Sequence, residues 1–539
     1  MTSTHPEADL LLTNGLVDPT DPRPTSVAIR GGKVQAVAPD AELAATAGPA
    51  TTAVDLRGRR VIPGLIDSHA HVLRGGMTWE RELEWGEISS LAEGLALISQ
   101  RAAAAPAGEW IAVVGGWHPG QFAEGRAPER ADLDRAAPDH PCFVQRLYDD
   151  AVLNSAALHA CGLLDGAAPD GVEVERDGDG RPTGRLRGLA AFRWVAGFMG
   201  AASGDEQRRS LRAFVDHLAG YGITGAIDPG GFGFGFDQYG PLFDLWRADE
   251  LDMRLRLFLC ATRQGEELAE IDELTRVLPR DFGDDRLRVT GIGELVVSGC
   301  HDMEGLSPVD FDRDSRDRLL AVSRLVAQRG WPMHVHTILD SSIAAVLDAW
   351  EAVDAESRVG PLGFTLAHVE DMSPASLERA RRLGLGLAVQ NRLMLRAADT
   401  ARAWGAGRVE QSPPLRAFLD AGFAIGAGTD GTRVTPINPW RSLWWFVTGR
   451  ALEGGPRRVA DHRLDRALAL ALYTQGSAGL SGEGARRGRL APGQLADLAV
   501  LDRDYFAVEE SEIPAIRSEL TVVGGRPTHV ADSFDWPGS

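Results

Sequence analysis

The chain has 539 residues, of which 44% are hydrophobic and 24% charged, a composition that excludes a disordered protein and suits one large domain with an accessory domain. Its formal net charge of −20 repels phosphate backbones and anionic membrane surfaces, so neither nucleic acid nor membrane is an expected partner. Of the 56 basic residues only Lys33 is a lysine, which restricts the chemistry available further along the chain.

The N-terminal MTSTHPEADLLLTNG lacks a basic stretch followed by an apolar core, so no signal peptide is expected. No run of about 18 apolar residues follows, so no transmembrane helix is expected and the cytoplasm is the expected compartment. Residues 8–62 are short alternating runs broken by turns, with Gly31-Gly32 placed as a hairpin turn. Residues 493–504 and 519–531 have the same texture. Neither end carries enough apolar surface to stand alone, so 1–60 and 486–539 are expected to pack as one composite β-sandwich.

The middle, 61–485, alternates buried-type strands with helices, the pattern of βα units around a parallel sheet. The strand candidates are 61–72, 142–150, 224–231, 288–299, 331–340, 363–371, 383–391 and 423–430. Eight is the number for a closed (β/α)8 (TIM) barrel, so the fold class is α/β, with 73–140 read as an insertion over the barrel mouth. The four cysteines, Cys142, Cys161, Cys260 and Cys300, form no CxxC pair, so neither a disulfide framework nor a cysteine-rich zinc site is indicated.

Metal-capable side chains fall on or at the ends of these strands: His69 and His71 on the first, Asp228 on the third, Glu294 on the fourth, His334 and His336 on the fifth, His368 on the sixth and Asp430 on the eighth. Residues two apart on a strand share a face, so each His-x-His pair can point together. Strand ends converge at the carboxyl mouth of a barrel, and histidines and carboxylates meeting there are the ligand set of a hydrolytic divalent metal. One such histidine alone is more often a core residue; the ordered set is what points to metal.

VIPGLIDSHAHV resembles the PGLIDxHxH signature of the amidohydrolase superfamily, and HTILD, AHVED, SPPLRAFLDAG, GAGTDGTRVTPINPW and RGRLAPGQLADLAVLDRD are similar to its amidohydrolase-3 branch over about residues 8–530. GGWHPGQF and the segment around LYDDAVLNS resemble that branch's mouth insertion. The resemblance implies a metal-dependent (β/α)8 hydrolase with a terminal β-sandwich. It implies His69, His71, His336, His368 and Asp430 as metal ligands, with Asp430 also the catalytic general base and acid.

Two departures follow. Many relatives bridge two metals with a carboxylated lysine on strand four, where GIGELVVSG has none. Lys33 lies in the expected terminal sandwich, so a lysine carbamate is excluded and Glu294 is the natural substitute ligand, unless it pairs with an arginine. The branch often has a histidine where Asp149 stands, which points to altered substrate chemistry.

Tyr148, Asp149, Gln390, Asn391 and Arg433 follow strands where pocket walls form and are read as substrate-binding, with Arg433 facing a substrate carboxylate. Trp117 is read as aromatic pocket surface; Trp440, Trp444 and Trp445 are either that or helix core. His334 is either a supporting residue one layer deeper or a ligand, and Asp228 either reaches the mouth or caps a turn. His118 takes a mouth or surface position.

The function expected is metal-assisted hydrolysis of a carbon–nitrogen bond in a small non-peptide molecule, such as a cyclic or N-substituted amide, by one or two divalent ions, zinc by preference. The alternative is a decarboxylase, isomerase or cyclase using the same site, since fold does not fix chemistry. A small-molecule substrate is the expected partner, and an acidic chain built on a large barrel is compatible with a homodimer.

Overall fold

The computed structural model describes residues 6–21, 23–164, 168–231 and 233–537. Eight parallel strands lie side by side in chain order: β1 (Leu65–Asp67), β2 (Ile223–Asp228), β3 (Arg254–Leu259), β4 (Leu287–Glu294), β5 (Met333–Leu339), β6 (Thr365–Asp371), β7 (Gly386–Gln390) and β8 (Ala424–Gly428). The ring is nearly closed. The Ser68 N–H donates to the Ala427 carbonyl at 3.0 Å and the Asp430 N–H to the His69 carbonyl at 2.8 Å. The fold is thus a mixed α/β one with a parallel eight-stranded barrel of the TIM type.

Helices follow the strands and bury one stripe each. In Arg313–Gln328, between β4 and β5, Leu319, Val322 and Val326 recur at helical spacing and face the barrel core, and Asp312 caps the first turn through the Ser315 N–H. β4 and β7 are buried nearly throughout, as parallel strands covered on both faces must be.

Two expected strands differ: 61–72 divides between Val61–Pro63, in a terminal sheet, and β1, which ends before His69 and His71, and 142–150 lies outside the barrel. Cys142–Arg146 is not in the barrel; it pairs with Ile111–Val114 and Asp150–Leu153 in a separate five-stranded sheet completed by Glu173–Arg176 and Pro182–Arg187. That sheet is apolar on both faces. Cys142 and Val144 pack with Trp85, Trp117 and Phe122, whereas Phe143 packs with Leu153, Leu186 and Phe192. Burial on both sides is what made the run read as a barrel strand. The segment between β1 and β2 therefore runs over 68–222, well past the expected 73–140.

The barrel strand absent from the expected eight is β3, RLRLFL, in which arginines alternate with apolar residues. Both arginines are buried against acids from the C-terminal segment. Arg254 makes a forked pair with Asp497 (2.8 and 2.9 Å), and Arg256 another with Glu483 (2.8 and 2.7 Å). Asp497 also accepts the Gly524 N–H at 2.8 Å, tying β3 to the C-terminal sheet.

The chain ends form two four-stranded sheets. One orders Lys33–Pro39, Thr25–Arg30, Leu10–Gly15 and Thr52–Asp55; the other orders Arg526–Val530, Ser518–Val523, Leu498–Leu501 and Val61–Pro63. They share one apolar cluster, with Leu12, Val27 and Val54 from the first sheet and Val61, Leu498, Val500, Leu520 and Val522 from the second. The single lysine, Lys33, is exposed on the first sheet. Among the described residues no helix is long and apolar enough to cross a membrane.

Removing one partner of a buried forked pair leaves an uncompensated guanidinium. Asp497→Asn is expected to destabilise the fold by about 3–5 kcal/mol, read as a lowered unfolding midpoint. The double variant R254M/D497L is expected to be milder than D497N alone.

Candidate metal centre

The site begins with Asp67, the last residue of β1. Its buried carboxylate accepts the His69 N–H at 3.0 Å, the Thr429 N–H at 3.1 Å and the Thr429 hydroxyl at 2.7 Å. Burial raises this carboxyl to about 6 although all these bonds oppose it. The clamp fixes the end of β1 against the end of β8 and so sets His69 and His71 beside Asp430. Asp430 (φ 57°) and His368 (φ 72°) both adopt left-handed backbone, which costs on the order of 1–2 kcal/mol at a non-glycine residue. At Asp430 the N–H bond to the His69 carbonyl helps hold it.

Glu294, the last residue of β4, sits among the imidazoles. Its Oε2 lies 3.2 Å from His69 Nε2, 3.6 Å from His336 Nδ1 and 3.7 Å from His368 Nε2, while Oε1 lies 3.4 Å from His71 Nε2. Asp430 Oδ1 lies 3.2 Å from His71 Nε2 and 3.8 Å from His69 Nε2. The donors form three overlapping sets with the spacing of a metal site: His69, His71 and Glu294; Glu294, His336 and His368; and His69, His368 and Asp430. Glu294 belongs to two of them.

The electrostatics show what the cluster requires. Burial pushes the Glu294 carboxyl up, but His69, His71, His336 and His368 outweigh it and hold the group well below the ordinary carboxylate range. Burial likewise opposes ionisation of Asp430, and His71, His69 and His368 overcome it. Burial opposes the charged form of His336, yet Asp302 and Glu294 raise it well above the usual value. His368 is lowered to about 4 by burial and by the neighbouring His336. Two buried carboxyls are thus held below the ordinary carboxylate range by the imidazoles around them.

His69 Nε2, Glu294 Oε2 and both ring nitrogens of His368 are buried without a hydrogen-bond partner among the described residues. Each such unmade bond costs about 1–3 kcal/mol. Orphaned imidazole and carboxylate donors that converge on one another are the chemistry of a divalent-metal site, and the residues fit one.

The outward nitrogens are held. His71 Nδ1 meets the Gly230 carbonyl at 2.7 Å, and His69 Nδ1 meets His334 Nε2 at 2.9 Å. His336 Nε2 meets the Met303 carbonyl at 2.9 Å and Asp302 Oδ1 at 3.0 Å. Asp302 in turn accepts the Ile338 and Leu339 N–H groups at 2.9 and 2.8 Å and the Ser342 hydroxyl. Burial would raise the Asp302 carboxyl, but His336 and these donors hold it at about 2. Sequence reasoning missed Asp302. The signal was there, since a histidine ligand needs a carboxylate or carbonyl behind it and HDMEG follows β4.

Other expected site residues fall into two groups. Tyr148 lines a cavity of about 40 Å3 directly over the cluster, and Arg433 lines an adjoining cavity of about 900 Å3. Arg433 is not free for a substrate carboxylate, because Glu82 takes it in a fork at 2.6 and 2.9 Å. Neither cavity wall includes Asp149, Gln390, Asn391 or Trp117. Asp149 is locked to the buried Arg396 at 2.8 Å. Gln390 accepts the His368 N–H at 3.0 Å and so positions that strand, and Asn391 is fully buried against Met394. Trp117 belongs to the core of the inserted sheet, where its indole donates to the Gln145 carbonyl at 2.9 Å. Trp440 and Trp445 are helix core, and Asp228 caps the turn after β2 by accepting the Leu73 and Gly230 N–H groups. His118 sits between Asp399 and Glu453, away from the centre.

The sequence profile of the Amidohydrolase family matches residues 52–529. The chain belongs to the amidohydrolase family. Among its relatives, this amidohydrolase is 27% identical over 552 residues to N-substituted formamide deformylase of Arthrobacter pascens, covering 96% of this chain and 97% of that one. It is 26% identical over 539 residues to Protein LONG AFTER FAR-RED 3 of Arabidopsis thaliana, covering 96% of this chain and 91% of that one. Among solved structures, an uncharacterized metal-dependent hydrolase from Pyrococcus horikoshii superposes with a TM-score of 0.65 at 21% identity, covering 93% of this chain and 99% of that one. A variant of atrazine chlorohydrolase from Arthrobacter aurescens, complexed with zinc and atraton, superposes with a TM-score of 0.56 at 17% identity, covering 98% and 97%. The likeness to these two structures is one of fold.

Asp302→Ala removes the carboxylate behind His336. Divalent-metal affinity is expected to fall by about 10–100-fold, measured as occupancy under a chelator series, with the far-ultraviolet circular dichroism spectrum unchanged.

Proposed function

We propose that this amidohydrolase cleaves a carbon–nitrogen bond of a small non-peptide molecule by metal-assisted hydrolysis. The observation that carries the reading is the set of imidazole and carboxylate donors gathered on Glu294, several of them buried and otherwise unpartnered. His69, His71, Glu294, His336, His368 and Asp430 would hold one or two divalent cations, zinc by preference. When bound, such a cation lowers the pKa of water toward neutrality and polarises a carbonyl oxygen.

The protein's own groups do the rest. Asp430 faces His71 and borders the cavity over the cluster, so its carboxylate is placed to take a proton from the attacking water. It then returns that proton to the departing nitrogen. Glu294 presents Oε1 to His71 and Oε2 to His69, His336 and His368, so all four imidazoles meet its carboxylate. In a chain whose one lysine lies outside the barrel, Glu294 serves where a lysine carbamate cannot form. A nitrogen-containing small molecule as substrate is supported by the relative named for N-substituted formamides, which matches nearly the whole chain. The apolar cluster shared by the two terminal sheets supports their packing as one small β-sandwich beside the barrel.

The test is metal analysis combined with amine release from a panel of N-substituted formamides and amides. The purified enzyme is expected to carry divalent metal, and His69→Ala and Glu294→Gln to lose most of it. Asp430→Asn is expected to lose about 10²–10⁴-fold in kcat. Full metal content and full activity in His69→Ala and Asp430→Asn would refute the reading.

A further inference from the structure

Two cavities meet above the centre. The small one touches the donor set, and the 900 Å3 one opens toward the inserted sheet. Arg74 and Tyr148 are the residues that line both, so they form the neck between them. Arg74 lies on the short helix Val72–Gly76 that begins right after His71.

Of the other arginines lining these cavities, Arg392 is held by Glu370, Arg433 by Glu82 and Arg81 by Glu206, while Arg193 and Arg209 are exposed to solvent. Arg74 differs. Its Nε and Nη2 are buried with no hydrogen-bond partner among the described residues, and it forms no ion pair with any of them. Asp228 is close enough to feel its charge, but that carboxylate is spent on the Leu73 and Gly230 N–H groups. A half-buried guanidinium left unpaired is costly, and a ligand that completes it removes that cost. Its planar fork matches a carboxylate with two parallel hydrogen bonds.

The larger cavity says what lies beyond the neck. Its walls include Trp110, Phe143, Phe192, Met199 and Phe234, and two of its acids, Glu82 and Glu206, are already paired with Arg433 and Arg81. An apolar body of aromatic size fits there.

We propose that Arg74 determines specificity by binding a carboxylate of the substrate, and that the substrate class is an N-substituted amide carrying a carboxylate near the scissile bond and an apolar body in the 900 Å3 cavity. This rests on the hydrolytic reading above and deepens it. Arg74 touches the substrate and takes no part in proton transfer.

The test is calorimetric titration of the protein as purified with two probes of one shape, 3-phenylpropionate and 3-phenylpropanamide, with metal content measured on each sample. Wild type is expected to bind the acid at least about tenfold more tightly than the amide. Arg74→Gln is expected to lose that preference with metal content and melting temperature unchanged, which separates Arg74 from direct binding of the acid to metal. Arg74→Lys is expected to keep part of the preference. Equal or absent binding of the two probes by wild type, or an undiminished preference in Arg74→Gln, overturns the proposal. A protein that holds no metal yet shows an Arg74-dependent preference would overturn the hydrolytic reading, and with it the amide class of substrate, while the carboxylate contact of Arg74 stands.

Discussion

Glu294 carries one negative charge into the closed end of a barrel mouth, where its two oxygens lie 3.2–3.7 Å from ring nitrogens of four histidines. A buried carboxylate is tolerable only with positive charge close by. The rest of the architecture is arranged to bring that charge and to hold it still. β1, β5 and β6 deliver the imidazoles, and β8 delivers Asp430. Asp67 locks β1 to β8, and Asp302, His334 and the Gly230 carbonyl fix the outward nitrogens. The barrel matters because it is the geometry in which strands far apart in sequence end at one point.

Much of this was legible in the sequence, for a definite reason. The donors fall at or just beyond the carboxyl ends of successive strands, and that order along the chain can be read without knowledge of the partners, although His69 and His71 lie past β1 rather than within it. The same reading failed where burial and charge were decoupled from strand type. Cys142–Arg146 is apolar on both faces because the insertion has its own two-sided core, so it mimicked a barrel strand. Arg254 and Arg256 look solvated but are buried, because Asp497 and Glu483 arrive from more than 200 residues away. No local pattern contains such a partner.

The substrate side shows the same limit. Asp149 and Trp117 stand in the right stretch of chain, yet each is taken by a neighbour, Arg396 and the Gln145 carbonyl, and Asn391 is buried against Met394 away from either cavity wall. Arg433 is on the wall but neutralised by Glu82. Arg74, three residues after the histidine pair, resembled any other arginine among many until the structure left it without a partner. Whether a polar residue serves the fold or a ligand is a question about what else touches it, and that is settled by packing. The inserted sheet thus contributes cavity walls and, with Tyr148, one half of the neck, while the barrel brings the imidazole and carboxylate donors together.

The central claim is that Glu294 is the shared anchor of a metal centre in a chain that cannot use lysine there. Crystals of the protein as purified, with diffraction recorded on both sides of the zinc absorption edge, test it most directly. The account predicts one or two anomalous peaks within about 2.0–2.2 Å of Glu294 oxygens, one of them contacted by His69 and His71. Peaks bound by the histidines with Glu294 outside coordination distance of every ion would contradict it.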